Sequence, residues 1–185
     1  MTNDPYWKLP ATTAFTLMSP DFVDGGDLPF WAHGAATRGK DQSPALEWSG
    51  APEATESFVL TVFDPDAPSG SGFWHWTLID IPGRDVSLAR GAGTNDSLLP
   101  VTASRRRNEY GSDVFLGAAP PAGHGPHRYF YTLSALDVPV LEVAPEVTPA
   151  IVGLRLRQHI IGRAHLIGIA ETSTDGTAVF RGGQS

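Results

Sequence analysis

The sequence has no cysteine among its 185 residues. Disulfides, thiolate metal sites and cysteine nucleophiles are therefore excluded. Basic residues are scarce: 13 Lys and Arg stand against 20 Asp and Glu, a formal charge of −7. A net negative surface repels nucleic acid and anionic membranes at long range, so neither is an expected partner. The only basic run, Arg105-Arg106-Arg107, is read as a solvated loop. Long apolar runs are also missing. The stretch Ile160 to Ile167 is interrupted by Arg163 and His165 and is too short to span a bilayer. The opening Met-Thr-Asn-Asp-Pro-Tyr-Trp-Lys-Leu-Pro has neither a basic n-region nor an apolar h-region, so no secretory signal is expected. Together these absences predict a soluble, cytoplasmic chain without integral membrane association. No Gly-x-Ser-x-Gly elbow, P-loop or His-Glu-x-x-His pattern occurs either.

What is abundant is punctuation. Twenty glycines and sixteen prolines divide short apolar runs, and 41% hydrophobic residues suffice to bury a core. That pattern predicts a single, mainly β domain with long loops. The clearest strand is Phe58 to Phe63, β-branched and aromatic, stopped by Asp64-Pro65-Asp66-Ala67-Pro68. Others are Phe73 to Ile79, closed by Pro82-Gly83, and His127 to Leu136. Shorter candidates are Ala14 to Met18, Ala45 to Trp48 and Val114 to Leu116. One helix is expected from Thr148-Pro149, a capping hydroxyl before proline, with Val152, Leu156, Ile160 and Ala164 as its apolar stripe. The domain is placed at residues 1–172, followed by a flexible C-terminal tail at 173–185.

Three stretches concentrate polar groups in apolar surroundings. In Asp64-Pro65-Asp66 alternation aims both carboxylates the same way if the strand persists, although turn formation is the commoner role of such a tripeptide. In Trp74-His75-Trp76 alternation puts His75 opposite both tryptophans. In the proline- and glycine-rich run from Pro120 to Tyr129 it places His127 and Tyr129 on one face and Arg128 on the other. Asp64, His75, His127 and Tyr129 would then supply one acceptor and three donors around an oxyanion, while Arg128 pairs with a carboxylate such as Asp66.

These segments resemble the signatures of the phosphatidylethanolamine-binding protein family. The resemblance rests on Asp64-Pro65-Asp66-Ala67-Pro68 with Gly72-Phe73-Trp74-His75-Trp76, and on Gly123-His124-Gly125-Pro126-His127-Arg128-Tyr129. Ser43-Pro44-Ala45-Leu46-Glu47-Trp48 is similar to a segment of bacterial, Raf-kinase-inhibitor-like members. The resemblance implies a β-sandwich with long loops, a C-terminal helix and an anion pocket at one end. Its implied ligand-binding residues are Asp64, Asp66, His75, His127 and Tyr129, with Pro121 on the rim. It further implies a non-catalytic binding or regulatory protein that takes phosphate, phosphorylethanolamine-like or carboxylate groups. No cofactor or metal is expected; a kinase or protease partner and a homodimer are. The sequence departs from the family at Ala118-Ala119, where relatives commonly carry glycine beside the paired prolines. The alternative reading is a metal-assisted hydrolase that uses Asp64, Asp66, His75 and His127 as ligands.

Overall fold

A computed structural model describes residues 4–181. In chain order the strands are β1 (Thr13–Ala14), β2 (Thr16–Met18), β3 (Leu46–Ser49), β4 (Ser57–Asp64), β5 (Phe73–Pro82), β6 (Ser87–Leu88), β7 (Ser104–Arg106), β8 (His127–Leu136), β9 (Ile160–Thr172) and β10 (Ala178–Val179). The helix α1 spans Pro149–Leu156. The larger sheet runs β1-β9-β8-β4-β5-β7, with β10 added to β9, and a three-stranded sheet runs β2-β3-β6.

The two sheets face each other across the main core. Leu60 and Val62 of β4, Trp76 and Leu78 of β5, and Leu133 of β8 meet Leu17, Leu46, Trp48 and Leu88 of the smaller sheet. The mainly β domain expected from the strand pattern, and the sandwich implied by the resemblance, are therefore present. The opposite face of the large sheet carries a second cluster, where Val59, Ile79 and Leu136 are covered by Leu141 and by Val152 and Leu156 of α1.

The central strands form as their residues dictate. Every residue of β4 is buried, which suits a continuous apolar run covered on both faces. The helix begins as expected, with the Thr148 hydroxyl accepting from the Ile151 amide and Pro149 at the first helical position. It ends eight residues later. Ile160 and Ala164, assigned to the helical stripe, belong instead to β9. From Gly162 onward that strand alternates, burying Gly162, Ala164, Leu166, Gly168 and Ala170. A period of two fits these small and apolar positions as well as a spacing of four, and ten paired residues along β8 decide for the strand.

Two shorter assignments also change. Ala14 to Met18 splits into β1, paired with β9, and β2, paired with β3. Val114 to Leu116 is not a strand but a loop leading to a single bridge between His33 and Ala118. The expected tail folds back over its described residues. β10 pairs with Glu171 and Thr172, and Arg181 reaches the carboxylates of Asp27 and Glu171.

Candidate functional site

The site starts where β4 stops. Asp64 is buried at the strand end, and its Oδ1 accepts the Asp66 amide at 2.8 Å, which turns the chain. Its Oδ2 lies 2.7 Å from Nδ1 of His127, the first residue of β8. A carboxylate oxygen accepts, so Nδ1 of His127 carries the proton. The other ring nitrogen of His127, Nε2, lies 2.7 Å from Nδ1 of His124, so one proton is shared between those two imidazoles. Asp64, His127 and His124 thus form a hydrogen-bonded chain from the buried strand end to an exposed loop.

His75 reaches the same place through an irregularity. The β4–β5 pairing passes from Val62 opposite Trp76 to Phe63 opposite Trp74, which leaves His75 as the extra residue of a bulge. The bulge overturns the alternation expected for Trp74-His75-Trp76. Trp76 enters the inter-sheet core, whereas Trp74 turns to the outer face against Phe63 at 4.3 Å. His75 packs edge-on against Tyr129 with ring centres 5.0 Å apart. Its Nδ1 lies 2.9 Å from the Leu116 carbonyl, which can only accept, so that nitrogen is protonated. Burial pushes the His75 pKa down, so the ring is neutral and Nε2 presents a lone pair. The alternation pattern predicts a donor at His75; the Leu116 contact reverses that role.

Tyr129 completes the set from β8. Burial, then the neighbouring Asp64 charge, push its pKa up, and its hydroxyl stays protonated beside the Asp64 carboxylate and the Ala119 amide. Asp64, His75, His127 and Tyr129 line one pocket of about 580 Å³, with Pro121 and Ala119 at its edge and the exposed Tyr110 beside Phe73.

Asp66 is not brought into this hollow. The chain leaves the strand at Pro65, so alternation no longer governs it. Its carboxylate accepts from the Arg128 backbone N–H (3.0 Å), Nε (2.8 Å) and Nη2 (2.7 Å). The Arg128 guanidinium holds the Asp66 carboxyl below its usual range. The ion pair expected from sequence is present, and it ties the Asp-Pro-Asp turn to β8.

Two contributors went unnoticed in the sequence. His124 was recognised only as part of a glycine-rich run. Asp41 lines the pocket from a distant loop, held at φ 50° while its carboxylate accepts the amides of Ala35 (3.0 Å) and Gly117 (2.8 Å). Nothing in the local pattern around Asp41 signals this, because its partners are 6 and 76 residues away. Gly117 is required there: a Cβ would come within 2.4 Å of the His33 carbonyl carbon. Among the described residues, no three carboxylates or imidazoles are grouped so as to hold a metal ion.

Family comparison decides the kinship of this site. Residues 18–171 match the family model described as phosphatidylethanolamine-binding protein. The chain belongs to that family. The UPF0098 protein YbcL of Escherichia coli (strain K12) is 42% identical over 139 residues, covering 75% of this chain and 76% of that protein. The UPF0098 protein YbhB of the same organism is 37% identical over 152 residues, 81% of this chain and 96% of that protein. The crystal structure of E. coli YbcL, described as a new member of the mammalian PEBP family, superposes with a TM-score of 0.81. It is 38% identical and covers 86% of this chain and 99% of its own.

Membership of the phosphatidylethanolamine-binding protein family accounts for the order in which the site is assembled. The Asp64 turn, the His75 strand and the His127 strand all lie inside the matched region. Ala119 places its methyl at the pocket's edge.

Proposed function

We propose that this family member is a binding protein whose pocket takes a small ligand by a phosphate or carboxylate group, and that the group enters with a proton. The observation that carries this reading is the convergence of Asp64, His75, His127 and Tyr129 on one hollow. Neutral His75 offers an acceptor at Nε2 and Tyr129 a hydroxyl, while Asp64 and Asp41 bring negative charge. A fully ionised oxyanion is poorly matched to such a wall. A monoprotonated one donates its hydrogen to Nε2 and accepts from Tyr129, which equals an anion bound by an imidazolium. A headgroup with an ammonium, such as phosphorylethanolamine, gains from the two carboxylates.

The reading favours binding over catalysis. His127 has both ring nitrogens engaged, by Asp64 and His124, and both Asp64 oxygens already accept hydrogen bonds. The serine in the lining, Ser69, donates its hydroxyl to the Gly72 carbonyl and not to a base. Occupancy would act on a kinase- or protease-type partner through the rim carrying Ala119 and Pro121.

Titration calorimetry with phosphate and phosphorylethanolamine at pH 6 and pH 8 tests this. Saturable binding that tightens at pH 6 is expected. Absence of binding at both pH values overturns the reading.

A further inference from the structure

The face of the large sheet turned away from the sandwich core holds a second cavity, of about 170 Å³. Thr61 of β4 with Thr132 and Ser134 of β8 line one side; the N-terminal segment around Tyr6 and α1 around Gly153 close the others. It shares no lining residue with the Asp64 pocket.

Three observations point to a ligand. First, the cavity is lined by the cations Arg157 and Arg163 and by no carboxylate. Arg163 is half-buried, and among the described residues neither arginine takes part in an ion pair. Its guanidinium has one long hydrogen bond, 3.4 Å to the Pro10 carbonyl. Burial pushes its pKa down, as expected of a desolvated cation without a counter-ion. Second, the Tyr6 hydroxyl is buried beside the Thr61 and Thr132 hydroxyls without a hydrogen bond of proper geometry. A buried donor left unmade is costly, and a ligand oxygen would satisfy it. Third, α1 carries a glycine at its centre that the backbone does not need. Gly153 is not at positive φ, and a Cβ there would meet nothing within 4 Å. Glycine weakens a helix interior relative to alanine, and here its missing side chain keeps the cavity open.

We propose that this cavity is a second binding site, for a small monocarboxylate with an apolar tail. The Arg163 guanidinium provides a planar fork for the carboxylate, with Arg157 adding charge. Leu9, Leu156, Ile160 and Trp74 receive the tail. An engineered cavity of about 150 Å³ accommodates benzene, so a tail of about five or six carbons fits.

Hexanoate titrated into the full chain, followed by amide NMR, tests the proposal. Shifts are expected at Ser134, Gly153 and Arg163, and hexylamine should produce none. Arg163→Gln should weaken hexanoate binding at least tenfold. Gly153→Leu fills the open space without removing a contact, so it should keep the thermal midpoint and abolish binding. That variant keeps the test decisive if Arg163→Gln folds poorly. The proposal is overturned by no shifts up to saturating hexanoate, by shifts confined to Gly117 and Ala119, by equal binding of hexylamine, or by a folded Gly153→Leu protein that still binds.

Discussion

His75 donates its Nδ1 proton to the Leu116 carbonyl at 2.9 Å, and Leu116 returns its backbone N–H to the His75 carbonyl at 3.1 Å. This two-way clasp locks the imidazole in one tautomer. It also ties the end of β5 to the loop that forms the pocket's far wall. The clasp determines what the pocket asks of a ligand, because the free nitrogen accepts a hydrogen bond until the ring takes up a proton.

Ligand binding should therefore strengthen as pH falls. With the His75 pKa held below its ordinary value, an added proton is taken up with the anion, and affinity rises by up to about tenfold per pH unit above that pKa. Calorimetry of phosphate binding between pH 8 and pH 6, in two buffers of different ionisation heat, counts the protons. His75→Gln should flatten the slope. An unchanged slope in that variant assigns the linkage elsewhere.

Removing the buried carboxylate should cost both binding and stability. Asp64→Ala leaves the Nδ1–H of His127 and the Asp66 amide without their acceptor, a loss of about 1–3 kcal/mol for an unsatisfied buried group. Phosphate affinity should fall as well, because the Asp64 carboxylate fixes His127 and the turn at Asp66 that shape the pocket wall. His127→Ala should show a similar affinity loss. Wild-type affinity in either variant removes that residue from the site.

Asp66 separates structure from binding. Asp66→Ala should leave phosphate affinity within about twofold while lowering stability, by no more than about 1 kcal/mol because the pair with Arg128 is partly solvated. The folded-state pKa of Asp66 is depressed by Arg128, so the contribution is present above the unfolded value and disappears as pH falls through the folded one. Urea titrations should find a smaller wild-type advantage at pH 3 than at pH 7. A tenfold affinity loss would instead place Asp66 at the ligand.

Acid should destabilise the fold well before carboxylates titrate. Burial pushes the pKa values of His33, His75 and His165 down, that of His165 to about 4, with Arg163 adding to the effect at His165. In the unfolded chain these rings take up protons near pH 6.5. The native state binds fewer protons in that window, so stability is full above about pH 6.5 and declines toward pH 4. Thermal midpoints measured across that range should drop, and His165→Gln should remove part of the decline. A flat profile would contradict the burial of His33 and His75.

Replacing Gly153 by alanine should stabilise the chain by about 0.5–1 kcal/mol, through helix propensity in a site with room for the methyl. A lowered denaturation midpoint would mean that the cavity wall is more crowded there than the helix geometry indicates.

Much of the architecture was legible because it depends on local chemistry. Phe58 to Phe63 can only be a buried strand, the prolines after Asp64 must end it, and Thr148-Pro149 must begin a helix. His127 and Tyr129 share a side because they stand two positions apart on one strand. The Asp-Pro-Asp and His-Arg-Tyr signatures carried the family itself.

Other features belonged to contacts between distant segments. The bulge that turns His75 toward Tyr129 arises from how β5 pairs with β4, and no alternation along β5 alone contains it. The divergence of Asp66 from Asp64 depends on Arg128, and the place of Asp41 on amides far along the chain. Strand or helix for Ile160 to Ala164 was ambiguous, since small apolar residues serve both, until β8 supplied the partner. Sequence by itself determined which groups and elements exist, because those follow from side-chain chemistry and short-range sterics. Tertiary structure alone decided where each imidazole nitrogen and carboxylate points, because hydrogen-bond direction is set by partners that meet only when the chain is folded.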